Sequence, residues 1–332
     1  MKKEEYGFMK RFLIILLCLT LWGSVLWGLT ACDGVGQADP TADGCTTVVC
    51  TNFAGLAFAR SLLDTYTQNG GAGKVELTVL GKPGQDPHSY EPTAADIITL
   101  SSADVLVCTG AEEWLEAAVS SSGNKTLSRV TMMEVCDTIE GDHHHDHDHD
   151  HDHGDDACAL IGQDEHVWLS VNNAIRITEA ISHAIQDMDA ENAAAWQACE
   201  KTALDELTAL RDEYTAMMEA ASKKTVVIAD RYPFAYLFRD LGITCIAAFP
   251  GCSSETSASF ATQTMLMEAV KTNELSYIFI MEGSDGKIAE VVAKETGAEI
   301  LTLNSLQVVS DFDVDYLQVM RSNLENLKKA LQ

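Results

Sequence analysis

Short runs of β-branched and apolar residues alternate with longer amphipathic stretches along most of this chain. The short runs predict strands, and the longer stretches, with apolar residues three and four apart, predict helices. In the first half we predict strands at 46–51, 75–80 and 104–109, and helices at 53–66, 94–101 and 112–120. In the second half we predict strands at 225–229, 244–248, 277–281 and 300–303, and helices at 260–270, 287–296 and 315–330. Alternating strands and helices indicate parallel sheets, so the pattern predicts two α/β lobes.

The two halves are separated by residues 190–222, which are rich in Ala, Glu, Leu and Met and contain neither Gly nor Pro. A helix of this length would span roughly 50 Å. We therefore predict an N-terminal lobe at 45–189, a rigid linking helix at 190–222 and a C-terminal lobe at 223–332, with a ligand site in the cleft between the lobes. Such a stiff connection would limit hinge closure.

The N-terminus carries a basic segment followed by residues 12–29, which are almost entirely apolar. The sequence Leu29-Thr30-Ala31-Cys32 then resembles the lipobox of bacterial lipoproteins. That resemblance implies a signal peptide at 1–32, a lipid on Cys32 and a flexible tether at 33–44. The alternative is a plain transmembrane anchor, because about 18 apolar residues can just span a bilayer. Both alternatives place the rest of the chain outside the cytoplasm, and lipidation would hold it on the outer face of the bacterial cytoplasmic membrane.

Acidic residues dominate the charge of the chain, with 50 Asp and Glu against 22 Lys and Arg and a formal net charge of −28. A nucleic-acid-binding protein needs clustered Lys and Arg against phosphate, so this class of partner is excluded. The acidic field would instead concentrate divalent cations near the surface. Because this attraction acts at long range, it favours a cation ligand without specifying a site.

Ten cysteines are present, but none of them form a CxxC pair, so a structural zinc cluster or a thioredoxin-like motif is not predicted. Cys50, Cys108 and Cys245 lie in apolar, strand-like runs. We expect these three to be buried as small hydrophobic side chains.

Seven of the ten histidines lie in residues 142–153, where they alternate with aspartates as DHHHDHDHDHDH. They are His143, His144, His145, His147, His149, His151 and His153. A segment of this composition cannot join a core, so we predict an exposed His/Asp-rich loop at 142–156. Its imidazoles and carboxylates would offer many weak sites for zinc, nickel or copper. The alternatives are a polar run that is merely solvated and a purification tag, although the internal position and the interleaved aspartates disfavour a tag.

Two short motifs flank this loop. His88 lies between two prolines in Pro-His-Ser-Tyr-Glu-Pro-Thr (87–93), beyond the carboxyl end of a predicted strand, where open α/β sheets bind ligands. His166 lies in Asp-Glu-His-Val-Trp-Leu-Ser (164–170). Alone, either histidine would more often be a surface or packing residue than a ligand.

Together, the two motifs and the intervening loop resemble the zinc/manganese substrate-binding proteins of ABC importers, cluster A-I. The resemblance extends from about residue 46 to the C-terminus and includes the long helix. It implies a non-enzymatic, monomeric protein that binds zinc at His88 and His166 and delivers it to an ABC permease. The sequence leaves manganese open, although abundant histidine favours zinc because manganese prefers more oxygen ligands.

The second lobe departs from the family pattern. The position of the third family ligand falls on Arg231, whose guanidinium cannot coordinate a metal. The neighbouring Asp230 can, and we predict that it supplies an oxygen ligand. The fourth position falls on Asn304, so water beside this weaker donor is the alternative. Further acidic candidates are Glu255, Glu282 and Asp285.

Two other functions compete with transport. An extracellular zinc hydrolase would need a motif such as His-Glu-x-x-His or Gly-x-Ser-x-Gly, and the sequence contains neither. A surface adhesin or metal store of the same fold stays open, and would lack the permease.

Overall fold

The computed structural model describes residues 45–71, 74–139, 164–251 and 258–332. The predicted signal peptide, Cys32, the tether, the His/Asp-rich loop with its seven histidines, and Glu255 all lie outside these residues. No helix in the described ranges has both the length and the apolar character needed to cross a membrane.

The first lobe is built on a four-stranded parallel sheet with the order β2-β1-β3-β4. Its strands are β1 (Cys45–Cys50), β2 (Lys74–Val79), β3 (Val105–Cys108) and β4 (Ser128–Thr131). Its helices are α1 (Phe53–Gln68), α2 (Ala94–Ser101), α3 (Leu115–Ser122), α4 (Met132–Val135) and α5 (Val171–Met188). Cys50 and Cys108 are fully buried, as predicted, since β1 and β3 are the two central strands.

The second lobe repeats this design with the order β6-β5-β7-β8, again all parallel. Its strands are β5 (Thr225–Tyr232), β6 (Thr244–Pro250), β7 (Tyr277–Met281) and β8 (Glu299–Leu303). Its helices are α7 (Ala235–Leu241), α8 (Phe260–Thr272), α9 (Lys287–Thr296) and α10 (Tyr316–Leu331). Cys245 is also buried, and the predicted fold of two α/β lobes with parallel sheets is confirmed.

The lobes are connected by α6 (Ala193–Glu219), a helix of 27 residues that lies inside the predicted range. Its length is roughly 40 Å at 1.5 Å per residue. Near its start, the Trp196 ring stacks on Tyr66 of α1 with the ring centroids 3.9 Å apart. Near its end, the hydroxyl of Tyr214 donates to the carbonyl of Met320 in α10 at 2.7 Å. The helix is therefore packed against both lobes and cannot bend freely between them.

The structure differs from the predicted elements of the first lobe in the start of one helix and in three elements that were not predicted, β4, α4 and α5. Helix α3 begins at Leu115 rather than at residue 112, because the Glu112 carboxylate accepts from the backbone N–H groups of Thr109 and Gly110 and closes a turn there. Helix α5 was not predicted at all. It starts at the Ser170 side chain, which accepts from the backbone N–H of Asn173, directly after the second histidine motif.

Candidate metal centre

His88 is placed by a short 3₁₀ turn, Pro87–Ser89, in the loop that follows β2. Asp86 precedes this turn, and its Oδ1 atom accepts from the backbone N–H of His88 at 3.0 Å. Pro87 suits the first helical position because its missing N–H would have no partner there. The turn therefore presents the half-exposed His88 ring at the carboxyl edge of the first sheet.

His166 is almost completely buried, and Asp164 fixes its orientation. The Asp164 Oδ1 atom lies 2.8 Å from both the backbone nitrogen and the Nδ1 atom of His166. Such a carboxylate partner holds one imidazole nitrogen and leaves the other to face a ligand. Here the remaining Nε2 atom points away from Asp164, and the ring centroids of His166 and His88 are 6.1 Å apart.

Glu165 lies between the two histidines. Its Oε1 atom is 2.9 Å from Nδ1 of His88. Burial alone would raise the pKa of Glu165, but the hydrogen bond and charge of His88, together with the charge of His166, outweigh burial and hold it below its usual value. Its carboxylate is therefore ionised, and its oxygens are available to coordinate a metal. Among the described residues, His88, Glu165 and His166 form a group whose possible ligand atoms all lie within 4.8 Å of one another.

This group brings together the two predicted histidines, and adds a glutamate that we did not predict as a ligand. Nitrogen and carboxylate oxygen are both ordinary zinc donors. The adjacency of Glu165 to His166 within the motif of residues 164–170 was a usable clue.

The second lobe reaches the site through Gln307, in the loop after β8. Its Oε1 atom lies 3.2 Å from Nε2 of His166, and its Nε2 atom donates to Oδ1 of Asp86 at 3.1 Å. Gln307 thus bridges the two histidine loops from the opposite lobe. We did not predict this residue; the nearest clue was Asn304, at the start of the same loop.

Asn304 and Glu282 make hydrogen bonds that shape this loop, and Glu282 is not a member of the histidine group. The Asn304 side chain accepts from the backbone N–H of Leu306 at 2.8 Å, which supports a positive φ of 59° at Leu306. The Glu282 carboxylate accepts from both the backbone N–H and the hydroxyl of Ser305. Burial raises the pKa of Glu282, and these hydrogen bonds partly offset the effect.

Asp230 is buried near the end of β5 and is not a member of the three-residue group. Its Oδ1 atom accepts from the backbone N–H of Arg231 at 2.8 Å, and its Oδ2 atom accepts from Met281 at 3.4 Å. Arg231 also lies beside it, with Nε 3.9 Å from Oδ1. Asp285 is exposed and paired with Lys287. Ligation by Asp230 stays a prediction.

Residues 61–330 match the family described as zinc-uptake complex component A, periplasmic. The chain belongs to this family. The family consists of metal-binding uptake proteins and not of enzymes, as the sequence predicted.

Members of the zinc-uptake component A family are similar to this chain along most of its length. It is 28% identical to the zinc-binding protein AdcA of Streptococcus pyogenes serotype M3, over 96% of this chain and 61% of that protein. It is 29% identical to the high-affinity zinc uptake system protein ZnuA of Bacillus subtilis, over 78% of this chain and 81% of the relative. The crystal structure of the metal-dependent lipoprotein YcdH from B. subtilis superposes with a TM-score of 0.71 at 25% identity, covering 86% of this chain and all of the other. The chain thus spans about three-fifths of the length of the streptococcal relatives.

Proposed function

We propose that this protein captures zinc outside the cytoplasm and delivers it to an ABC permease. The observation that carries the proposal is the group of His88, Glu165 and His166, whose possible ligand atoms lie within 4.8 Å of one another at the carboxyl edge of the first sheet. Three protein donors of this kind can bind zinc and leave a further position for another ligand. The names of the relatives AdcA and ZnuA agree with zinc as the cargo.

The two-lobed design supports capture between surfaces. His166 is fixed from the first lobe by Asp164, while Gln307 approaches the opposite ring nitrogen from the second lobe. A metal held at this point would contact both lobes, so its presence could be read by a permease that recognises their relative position. Because α6 is packed on both lobes, we propose that metal binding adjusts the loops at the cleft and does not require a large rotation.

The location rests on Cys32, which we propose as the lipid-anchored N-terminus of the mature protein. The family description is periplasmic, and a streptococcal relative is named a zinc-binding lipoprotein. A lipid anchor would keep the captured metal close to the permease and prevent loss of the protein by diffusion. The seven histidines of residues 143–153 would serve as a weak collector of metal.

The proposal is tested by titrating the purified, metal-free protein with zinc, and then with manganese in competition. We expect one tight zinc equivalent, which His88→Ala or His166→Ala weakens by orders of magnitude because each variant removes one imidazole donor. His183→Ala is the matched control, since His183 is an exposed helical histidine outside the group. If the double variant His88→Ala/His166→Ala retains tight one-to-one binding, the assignment of the site is wrong.

A further inference from the structure

A cavity of about 370 Å³ adjoins the histidine group. It is formed by the loops that follow β1, β2 and β3, at the carboxyl edge of the first sheet. In the strand order β2-β1-β3-β4, the chain passes from β1 to β2 on one side of β1 and then crosses to β3 on the other side. Open α/β sheets bind their ligands beside such a change in the direction of the connections. The volume is within the range of pockets that hold small organic molecules, roughly 300–1,000 Å³.

One wall of the cavity consists of the metal site itself. His88, Glu165 and Gln307 all line it. Of the described residues, only three acidic or imidazole side chains meet at the metal site, whereas zinc usually has four ligands in a closed site. With these three donors alone, a metal at this wall would present an incomplete coordination sphere towards a space much larger than one water molecule.

Aromatic side chains also line the cavity. The rings of Tyr90 and Trp114 meet edge to face with their centroids 5.2 Å apart, and both line the cavity. Trp168 lines it as well, and its indole N–H donates to the carbonyl of Ser305 at 2.9 Å, which fixes the ring. Such a wall is preformed and offers apolar contact to the body of a small ligand.

The charge of the cavity is negative. Four glutamates line it, and no Lys or Arg does so among its described lining residues. These glutamates are Glu91, Glu112, Glu113 and Glu165. Glu112 is held by the Thr51 hydroxyl and the backbone N–H of Thr109, so its carboxylate is fixed in place. The negative charge of the cavity disfavours an anionic chelator such as citrate and favours a ligand that carries an amine.

We infer that the cavity accommodates a small amine-bearing chelator, of the size and chemistry of a free amino acid, which enters already bound to the metal. The inference rests on the proposed function and names the form in which the zinc is captured. The chelator would complete the coordination sphere at the His88 wall through its carboxylate or imidazole, leave its amine protonated and uncoordinated near the glutamates, and pack its body against Trp114.

The test uses the full mature chain, with zinc presented as its complex with L-histidine or with citrate, each buffered to the same free zinc activity. With histidine we expect the apparent association constant for zinc to rise by about tenfold or more over buffered zinc alone, an additional binding free energy of about 1.4 kcal/mol. Citrate should produce no rise. Native mass spectrometry should detect one zinc and one histidine on the same protein molecule.

Two variants separate the cavity from the metal donors. Ala111 lines the cavity. Ala111→Trp should abolish both the rise in the apparent association constant with histidine and the complex of protein, zinc and histidine, while leaving tight zinc binding in place. The matched control is Ala117→Trp on the exposed part of α3, outside the cavity, which should behave as wild type. If Ala111→Trp does not fold, Glu91→Gln/Glu113→Gln keeps the shape, removes two charges and should reduce the histidine effect.

The inference is overturned if zinc binds tightly with an affinity that depends on the free zinc activity alone, and if native mass spectrometry detects no complex of protein, zinc and chelator with either chelator. Metal capture would then stand, and the cavity would hold only water. Absence of tight zinc binding under all conditions would instead refute the proposed function together with the inference.

Discussion

Gln307 gives the sharpest test of how the second lobe contributes to this site. Its side chain is almost fully buried and makes two contacts with the first lobe, to His166 Nε2 at 3.2 Å and to Asp86 Oδ1 at 3.1 Å. The perturbation is Gln307→Ala, which removes both contacts without adding a charge. We expect it to loosen the contact between the loop after β8 and the two histidine loops in the metal-free protein.

The expected loss of stability follows from the two hydrogen-bond partners of Gln307. A hydrogen bond to a charged group such as Asp86 contributes about 1.5–3 kcal/mol, and a neutral one about 0.5–1.5 kcal/mol. Because Gln307 also lines the cavity, water can replace part of what is lost. We therefore expect the free energy of unfolding to fall by about 1–3 kcal/mol, and the melting temperature by roughly 2–10 °C for a domain of this size.

The assay is thermal and denaturant unfolding of the metal-free proteins. Gln318→Ala, on the exposed face of α10, is the matched control for loss of a glutamine side chain. If Gln307→Ala melts within about 1 °C of that control, the bridge contributes nothing and this reasoning is refuted. Gln307→Glu adds a second readout, since a carboxylate should repel Asp86 in the metal-free protein yet bind zinc more tightly.

Three further predictions concern other parts of the chain. Asp230→Asn keeps the side-chain size and removes the charge, so a large fall in zinc affinity by calorimetry would support ligation, while unchanged affinity in a folded protein would make Asp230 structural. Deletion of residues 143–153 should remove the weakly bound zinc ions and leave the tightly bound one. The loop should bind zinc weakly because ordering its backbone costs about 1–2 kcal/mol per residue. Loss of the tightly bound zinc ion would contradict this prediction. Asn323→Leu should cost about 2–5 kcal/mol of stability, since buried Asn323 satisfies both the N–H and the carbonyl of Asn304 at 2.8 Å. A change below about 1 kcal/mol in denaturant unfolding would refute it.

The sequence alone determined the lobes and the first-lobe histidines. Strand and helix periodicity is a local property of the chain, so strands such as Tyr277–Met281 and helices such as Lys287–Thr296 were predicted with the bounds the structure has. His88 and His166 each lie inside a compact motif whose turn is set by neighbouring residues, Pro87 and Asp86 in one case and Asp164 in the other. These contacts join residues only one or two positions apart, which is why the two motifs could be recognised from the sequence.

Tertiary structure decided the remainder of the site. Glu165 pairs with His88 only because the loops after β2 and before α5 meet at one edge of the first lobe. Gln307 lies 141 residues from His166 in the chain, and their contact depends on how α6 and the packed helices set one lobe against the other. Asn304 lies in the same loop as Gln307, and its side chain accepts a hydrogen bond from the backbone N–H of Leu306, a contact that the sequence did not predict. Local spacing specifies elements and short motifs, whereas contacts between distant loops are fixed only when the two sheets and their connecting helix pack together.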